Sequence, residues 1–260
     1  MELDLDTLVK LKGAAIAAWF ALFFAAERLV PMAVNGPAGR GAWMRLGRNI
    51  GLFLVNVVLS RFVVIPVSAL AATYAWDWRP AWWGGLGGLA LDLVILDFWI
   101  YWWHRANHEV QLLWRFHEVH HLDGFLDTTS AVRFHFGEVL LSAGVRAVVI
   151  IALDIPLQSV LVFETAVLLA ALFQHSNVRL PDSLERALSL AIITPSWHWM
   201  HHHALRVDTD SNYGNLFSFW DRLFRSKCKH QRTADMTIGV EGIREKSLLP
   251  LLGRPFMPRA

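Results

Sequence analysis

Residues 82–108, WWGGLGGLALDLVILDFWIYWWHRANH, carry an apolar run of membrane length directly into a pair of histidines. Trp76, Trp78, Trp82 and Trp83 gather at one end of the run and Trp99, Trp102 and Trp103 at the other. The two groups are about 21 residues apart, or about 31 Å along a helix, close to the hydrocarbon thickness of a bilayer. Tryptophans at both ends of such a span form interfacial belts. Within GGLGGLA, Gly84 to Gly88 match a dinucleotide loop loosely, but no strand precedes them and no βαβ unit follows. Small residues at this spacing instead let helices approach closely in lipid.

Outward from this helix the chain repeats the theme. Further hydrophobic stretches run over about Leu11–Pro31, Asn49–Ala75, Val139–Leu153 and Pro156–Phe173, giving five candidate spans with the first. Each is interrupted by charge, through Glu27, Arg28, Arg61, Asp92, Asp97, Arg146, Asp154 or Glu164. Of 260 residues 55% are hydrophobic, with 13 Trp and 16 Phe against 3 Tyr, and only 18% are charged. Together with a mean hydropathy of +0.37, this argues against a soluble helical protein and against disorder. The net charge of +2 and the lack of a basic run with stacking aromatics exclude a nucleic-acid binder. A single cysteine, Cys228, excludes an internal disulfide framework and a Cys-rich zinc module. The acidic start, Met1 to Asp6, is not that of a cleaved signal peptide. The expected fold is all-α: an integral-membrane helical bundle with a cytosolic histidine-rich helical cap. It is read as one domain over 1–260, with membrane segments across about 11–175 and a polar cap and tail across 176–260.

Eleven of the 12 histidines fall between His104 and His203. His104 and His108 are four apart, one turn of helix, and Asp97 falls within about 20° of both around the helix, as a candidate acceptor for a ligand ring N–H. HEVHH supplies His117, His120 and His121, and HWMHH supplies His198, His201 and His202 with the same spacing. Three imidazoles at i, i+3 and i+4 share one side of a helix, so each cluster is expected to present its rings to one volume. Two, three and three rings are enough for two ions with open positions, whereas one structural zinc needs four ligands. Imidazole-rich, thiolate-free shells suit iron or zinc, and redox iron is favoured where the surroundings are apolar and nothing hydrolysable is at hand.

These motifs resemble the fatty acid hydroxylase/sterol desaturase superfamily of integral-membrane non-haem di-iron oxygenases. The resemblance runs over roughly Asp97 to Phe224 and includes RFHFGE (residues 133–138), FQHSN (173–177), DSNYGN (210–215) and FWDRLF (219–224). Glu109 directly after His108 is similar to the branch that contains the alkylglycerol monooxygenases. The resemblance implies two iron ions held by His104, His108, His117, His120, His121, His198, His201 and His202, with His175 as a ninth ligand. It further implies O2 as cosubstrate, an external electron donor, and hydroxylation or desaturation of an unactivated C–H bond in a membrane lipid such as an acyl chain, sterol or ether lipid. His135 is read as orienting a ligand or Glu138 rather than binding metal, and His203 as a helix-surface or substrate-side residue. Asp221 either accepts a ligand N–H or pairs with Arg222 or Arg225. Asn212 and Gly214 suit a tight turn. Trp199, Phe136 and Arg225-Ser226 depart from the family pattern, which blurs the substrate subfamily.

No haem, flavin or ferredoxin segment is visible, so electrons come from a separate protein, which Arg222, Arg225, Lys227 and Lys229 could dock if it is acidic. The same cations could instead face anionic headgroups. Arg40, Arg45 and Arg48 between the first two segments place the histidine end in the cytosol by the positive-inside tendency. An Arg-rich, Ala-rich composition suggests a bacterial cytoplasmic membrane. One rival reading is a zinc-dependent membrane lipid hydrolase with Glu109 or Glu118 as base; the other is a metal transporter or binding protein, which would line the membrane path with ligands rather than gather them beyond segment ends.

Overall fold

In the computed structural model residues 5–257 are described. Of the acidic start, Met1 to Asp4 lie outside the described residues. The long helices are α1 (Leu5–Leu29), α2 (Gly39–Leu59) continuing through a π-turn (Ser60–Val64) into α3 (Ile65–Thr73), α4 (Gly85–Glu109), α5 (Gln111–His121), α6 (Phe136–Leu153) and α7 (Leu157–His175). A 3-10 turn, Thr128–Val132, precedes α6. Short helices follow: α8 (Asp182–Leu188), α9 (Pro195–His201), α10 (Arg206–Thr209), α11 (Phe219–Leu223) and α12 (Leu248–Gly253). Among the described residues extended pairing is limited to isolated bridges, so the all-α expectation holds.

Among the described residues four helices are long and apolar enough to cross a membrane: Gly39–Thr73, Gly85–Glu109, Phe136–Leu153 and Leu157–His175. They coincide with four of the five expected segments, and α1 covers the first. The α6–α7 hairpin turns in the gap between the expected stretches Val139–Leu153 and Pro156–Phe173. Asp154 takes a left-handed conformation (φ 51°) that stops α6, and Pro156 leads into α7. Phe62, Val58, Leu54 and Val148 are exposed on the outside of the bundle, as a lipid-facing surface requires.

Asp92, Arg146 and Glu164, three of the charges that interrupt the apolar runs, are paired inside the bundle. Asp92 takes a bidentate contact from Arg79 at 2.9 Å and bonds from Trp83 Nε1 at 3.0 Å and Ser159 Oγ at 2.6 Å. Arg79 also reaches the Asp154 carbonyl. This knot, with Ala71, Leu96, Ile150 and Phe163 packed beneath it, closes the end of the bundle remote from the histidines. Midway along, Glu164 of α7 joins Arg146 of α6 at 2.9 Å and Lys12 of α1 at 2.8 Å. A charge in hydrocarbon is costly unless it is neutralised this way.

The histidine end is held by a second polar knot. Arg45 of α2 contacts Asp123 at 2.5 and 2.8 Å, Asp127 at 2.6 Å, Ser130 Oγ at 2.8 Å and the Phe125 carbonyl at 2.7 Å. Burial pushes the Asp123 carboxyl up, but Arg45 and Arg133 outweigh it and hold it at about 2. The tail is strapped to the same end. Leu251 packs with Leu52, Val119 and Leu122, Arg254 pairs with Glu118 at 2.6 Å, and Glu245 bridges Arg48 and Arg133.

Removing one partner of a buried pair strands the other charge. Arg45→Met is therefore expected to cost about 3–5 kcal/mol, seen as a lower unfolding midpoint in detergent, while Arg61→Met on the exposed bundle surface leaves the midpoint within about 0.5 kcal/mol of wild type. Equal midpoints for Arg45→Met and wild type would contradict the role given to this knot.

Candidate metal centre

Four helices, α4, α5, α7 and α9, converge on the centre for local reasons. The extended backbone of Val110 (φ −93°, ψ 113°) separates α4 from α5, so His104 and His108 face back onto His117 and His121 across a one-residue break. Pro195 in the first turn starts α9, which brings His198, His201 and His202 over the end of α7, where His175 is the last helical residue.

The nine histidines fall into two groups whose donor atoms lie within 4.8 Å of one another: His104, His108, His117, His121 and His201 in one, and His120, His175, His198 and His202 in the other. All nine are buried. The expectation that each HxxHH cluster serves a single volume is corrected. His117 and His121 face the first group while His120 faces the second; His198 and His202 face the second while His201 faces the first. At about 100° per residue, i and i+4 are about 40° apart, whereas i+3 falls about 60° to the other side of i. Each cluster therefore straddles both groups. His121 stacks on His202 across the boundary, with ring centroids 4.2 Å apart.

Six rings are aimed by an acceptor at Nδ1. His117 meets Glu138 Oε1 at 2.8 Å, His108 meets Asp210 Oδ1 at 3.2 Å, and His104, His120, His175 and His201 meet the carbonyls of Tyr213, Arg133, Ala171 and Ser211 at 2.7–3.1 Å. A carbonyl only accepts, so His120 and His175 must each donate from Nδ1 and keep a lone pair on Nε2. Those two Nε2 atoms are nevertheless 3.1 Å apart. Similar Nε2–Nε2 approaches join His198 to His175 at 3.0 Å and His202 to His198 at 3.1 Å. Burial, the largest cause in each, keeps His120, His121, His198 and His202 well below the usual imidazole range and His201 at about 3. A proton is thus a poor bridge between such lone pairs. Nitrogens bound to one first-row ion at about 2.1 Å are separated by about 2.9–3.4 Å, which the observed spacing fits. His108 Nε2 and His201 Nε2, buried without a partner, fit the same arrangement.

Other sequence-singled residues take different places. Asp97 touches no histidine: it accepts the Leu216 and Phe217 amides at 2.9 and 3.2 Å and Trp220 Nε1 at 2.9 Å. Asp221 accepts the Tyr213 and Gly214 amides at 2.8 and 3.0 Å and Ser226 Oγ at 2.7 Å, neither a ligand ring nor an arginine. Burial pushes its carboxyl up to about 6 against these bonds. The two aspartates clamp the loop from Asn212 to Trp220. Asn212 turns it at φ 52°, and Gly214 has no room for a Cβ, which would stand 2.7 Å from Ile193 and 2.8 Å from the Phe217 carbonyl. His135 caps α6 by accepting the Gly137 amide and donates to the Leu252 carbonyl, outside both groups. His203 binds Asp208, also outside them. Glu109 and Glu118, the bases considered for a hydrolase, are tied to Arg105 and Arg254. Glu138 and Asp210, which aim two of the rings, stand in the RFHFGE and DSNYGN motifs, but no spacing signal pairs them with His117 and His108.

The family model for fatty acid hydroxylases matches residues 89–226, a span that includes all nine histidines. Ornithine lipid hydroxylase OlsE of Rhizobium tropici is 32% identical over 193 residues, covering 74% of this chain and 57% of that protein. Alkylglycerol monooxygenase of Homo sapiens is 28% identical over 179 residues, 69% and 38% of the two chains. Cholesterol 25-hydroxylase-like protein of Danio rerio is 26% identical over 195 residues, 70% and 72%. The chain thus spans less than two thirds of the first two relatives. No solved structure matches.

Two outcomes test this geometry. Glu138→Gln removes the charged acceptor behind His117 and should weaken metal binding at the five-histidine group by about 10–100-fold in a competition titration, leaving the four-histidine group unchanged. The buried imidazoles whose range is lowered take up protons in the unfolded chain before the folded one. Stability of the metal-free protein should therefore fall as the pH drops below about 6.5; a flat unfolding midpoint between pH 7 and 5 would contradict neutral, buried rings.

Proposed function

The chain belongs to the fatty acid hydroxylase family, and on that premise we propose that it is an O2-dependent di-iron hydroxylase of a membrane lipid. His104, His108, His117, His121 and His201 hold one iron, and His120, His175, His198 and His202 the other. The observation that carries this reading is the facing pair of Nε2 lone pairs on His120 and His175, which calls for a cation between them. Bound iron supplies O2 activation, so that R–H, O2, two electrons and two protons give R–OH and water.

The chain's own residues contribute orientation and exclusion of water. Glu138, Asp210 and four backbone carbonyls fix which ring nitrogen faces the ions. Trp114 and Tyr213, both buried, pack on His108, and Arg206 lies over Trp114 at 4.2 Å, closing the five-histidine side to solvent. The substrate is an amphipathic lipid entering from the bilayer among the apolar helices. The ornithine lipid named for the Rhizobium relative and the alkylglycerol named for the human one are the first classes to assay. Electrons come from a separate acidic protein that docks on the exposed Arg222, Arg225, Lys227 and Lys229. The histidine end faces the cytosol of a bacterial cell. The hydrolase alternative is disfavoured because Glu109 and Glu118 are committed to arginines away from the rings.

Purified protein should contain two irons per chain and form hydroxylated lipid only with both O2 and a reductant. His117→Ala, expressed at a normal level, should lose turnover by more than about 100-fold. Full activity in that variant or in iron-free protein, or product formed without O2, would overturn the proposal.

A further inference from the structure

Across the end of the stretch that matches the family model, a third set of metal-type donors converges, Asp208 inside it and Cys228 and His230 just beyond. Asp208 Oδ1 lies 3.3 Å from Cys228 Sγ and 2.6 Å from His230 Nδ1, and the donor atoms of these three residues are within 4.8 Å of one another. None of them belongs to the nine-histidine centre. Asp208 and Cys228 are buried, while His230 is 64% exposed at its side chain, so one side of the set opens to solvent.

A buried cysteine by itself behaves as a small apolar residue. Cys228 is placed differently. Its amide is fixed by Asn212 Oδ1 at 2.8 Å, and its sulfur accepts the His230 amide at 3.4 Å, a contact that favours thiolate. Asp208 is held from its other side, where His203 Nδ1 meets Oδ2 at 2.7 Å, so the carboxylate is oriented with Oδ1 toward the sulfur and the imidazole. Without a cation, burial and the neighbouring carboxylate push the Cys228 thiol up, a cost that a divalent ion would remove.

We propose that Asp208, Cys228 and His230 form a separate mononuclear zinc site, with water in the fourth position. One thiolate and one carboxylate neutralise the 2+ charge, and one thiol proton leaves to solvent as the zinc–sulfur bond forms. Mixed sulfur, nitrogen and oxygen donors suit zinc, in contrast to the all-imidazole shell of the larger centre. The ion braces the loop from His203 to Asn212. That loop carries Asp210 and the Ser211 carbonyl, the acceptors that aim His108 and His201. The inference stands independently of the reaction assigned to the nine histidines.

Cys228 is the only thiol in the chain, which makes the test specific. Full-length protein in detergent is incubated with zinc chloride, desalted and titrated with a mercurial, while released zinc is followed with a chromogenic chelator. One zinc released per thiol modified is expected from wild type, and none from Cys228→Ser under the same treatment. His230→Gln, altered at an exposed side chain and so expected to fold, should retain less of this releasable zinc after desalting. Thiol modification of wild type without zinc release would overturn the proposal, whether or not the Cys228→Ser protein folds, as would equal release from wild type and that variant.

Discussion

Nitrogen lone pairs pointed at one another dominate this molecule. Nine imidazoles buried together gain nothing from contact with their own kind, and each one taken from water loses hydration at both ring nitrogens. At six of the nine the structure offsets half of that loss at Nδ1, where backbone carbonyls and the carboxylates of Glu138 and Asp210 take the ring N–H. The Nε2 half is left facing inward. A fold that repeats this choice at six rings has been shaped around positive charge, because an uncharged centre would be served better by alternating donors and acceptors.

That constraint reaches into the bundle. For α4, α5, α7 and α9 to deliver rings within hydrogen-bond distance, their ends must be placed to within a fraction of an ångström, and apolar packing in lipid supplies little of that precision. Polar knots provide it. Arg45 bolts α2 to Asp123, two residues after His121, and Arg133 donates to the Val119 carbonyl within the histidine helix while its own carbonyl receives His120. Asp92 and Arg79 close the opposite end. Charges that make hydrophobic runs look imperfect, Asp92, Arg146 and Glu164 among them, are therefore what registers one helix against the next.

This explains how much of the fold and site was legible in the sequence. Segment positions, the hairpin at Asp154 and Pro156, and the convergence of the three clusters follow from local periodicity, which the helices preserve. The sharing of each cluster between two groups does not follow, because i, i+3 and i+4 were read as one face when about 100° separates i+3 from i+4; only the position of the opposing helix decides which ring turns which way. Asp97 was placed on the correct face but assigned the wrong partner. Its carboxylate meets the loop at Leu216 to Trp220, more than 100 residues later in the chain, and no local pattern announces such a contact. Glu138 and Asp210 stand in the RFHFGE and DSNYGN motifs, but their contacts with His117 and His108 were not foreseen for the same reason. His175 carries no spacing signal of its own and was reachable only through the resemblance of FQHSN to the family motif.

The segment from His203 to Cys228 shows how the two kinds of information meet. Its turn residues are readable, and Asn212 and Gly214 adopt the backbone that their types allow. Its purpose is set by long-range acceptors. Asp97 and Asp221 hold its second half, while its first half supplies the partners of His104, His108 and His201 and has no helix longer than the four residues of α10 to stiffen it. A loop that aims three ligands without regular structure must draw rigidity from side chains. Asp208 receives His203, Cys228 and His230 together, three side chains on one carboxylate. Stiffness at Asp208 is transmitted along two residues to Asp210 and three to Ser211, and so to the orientation of the rings themselves.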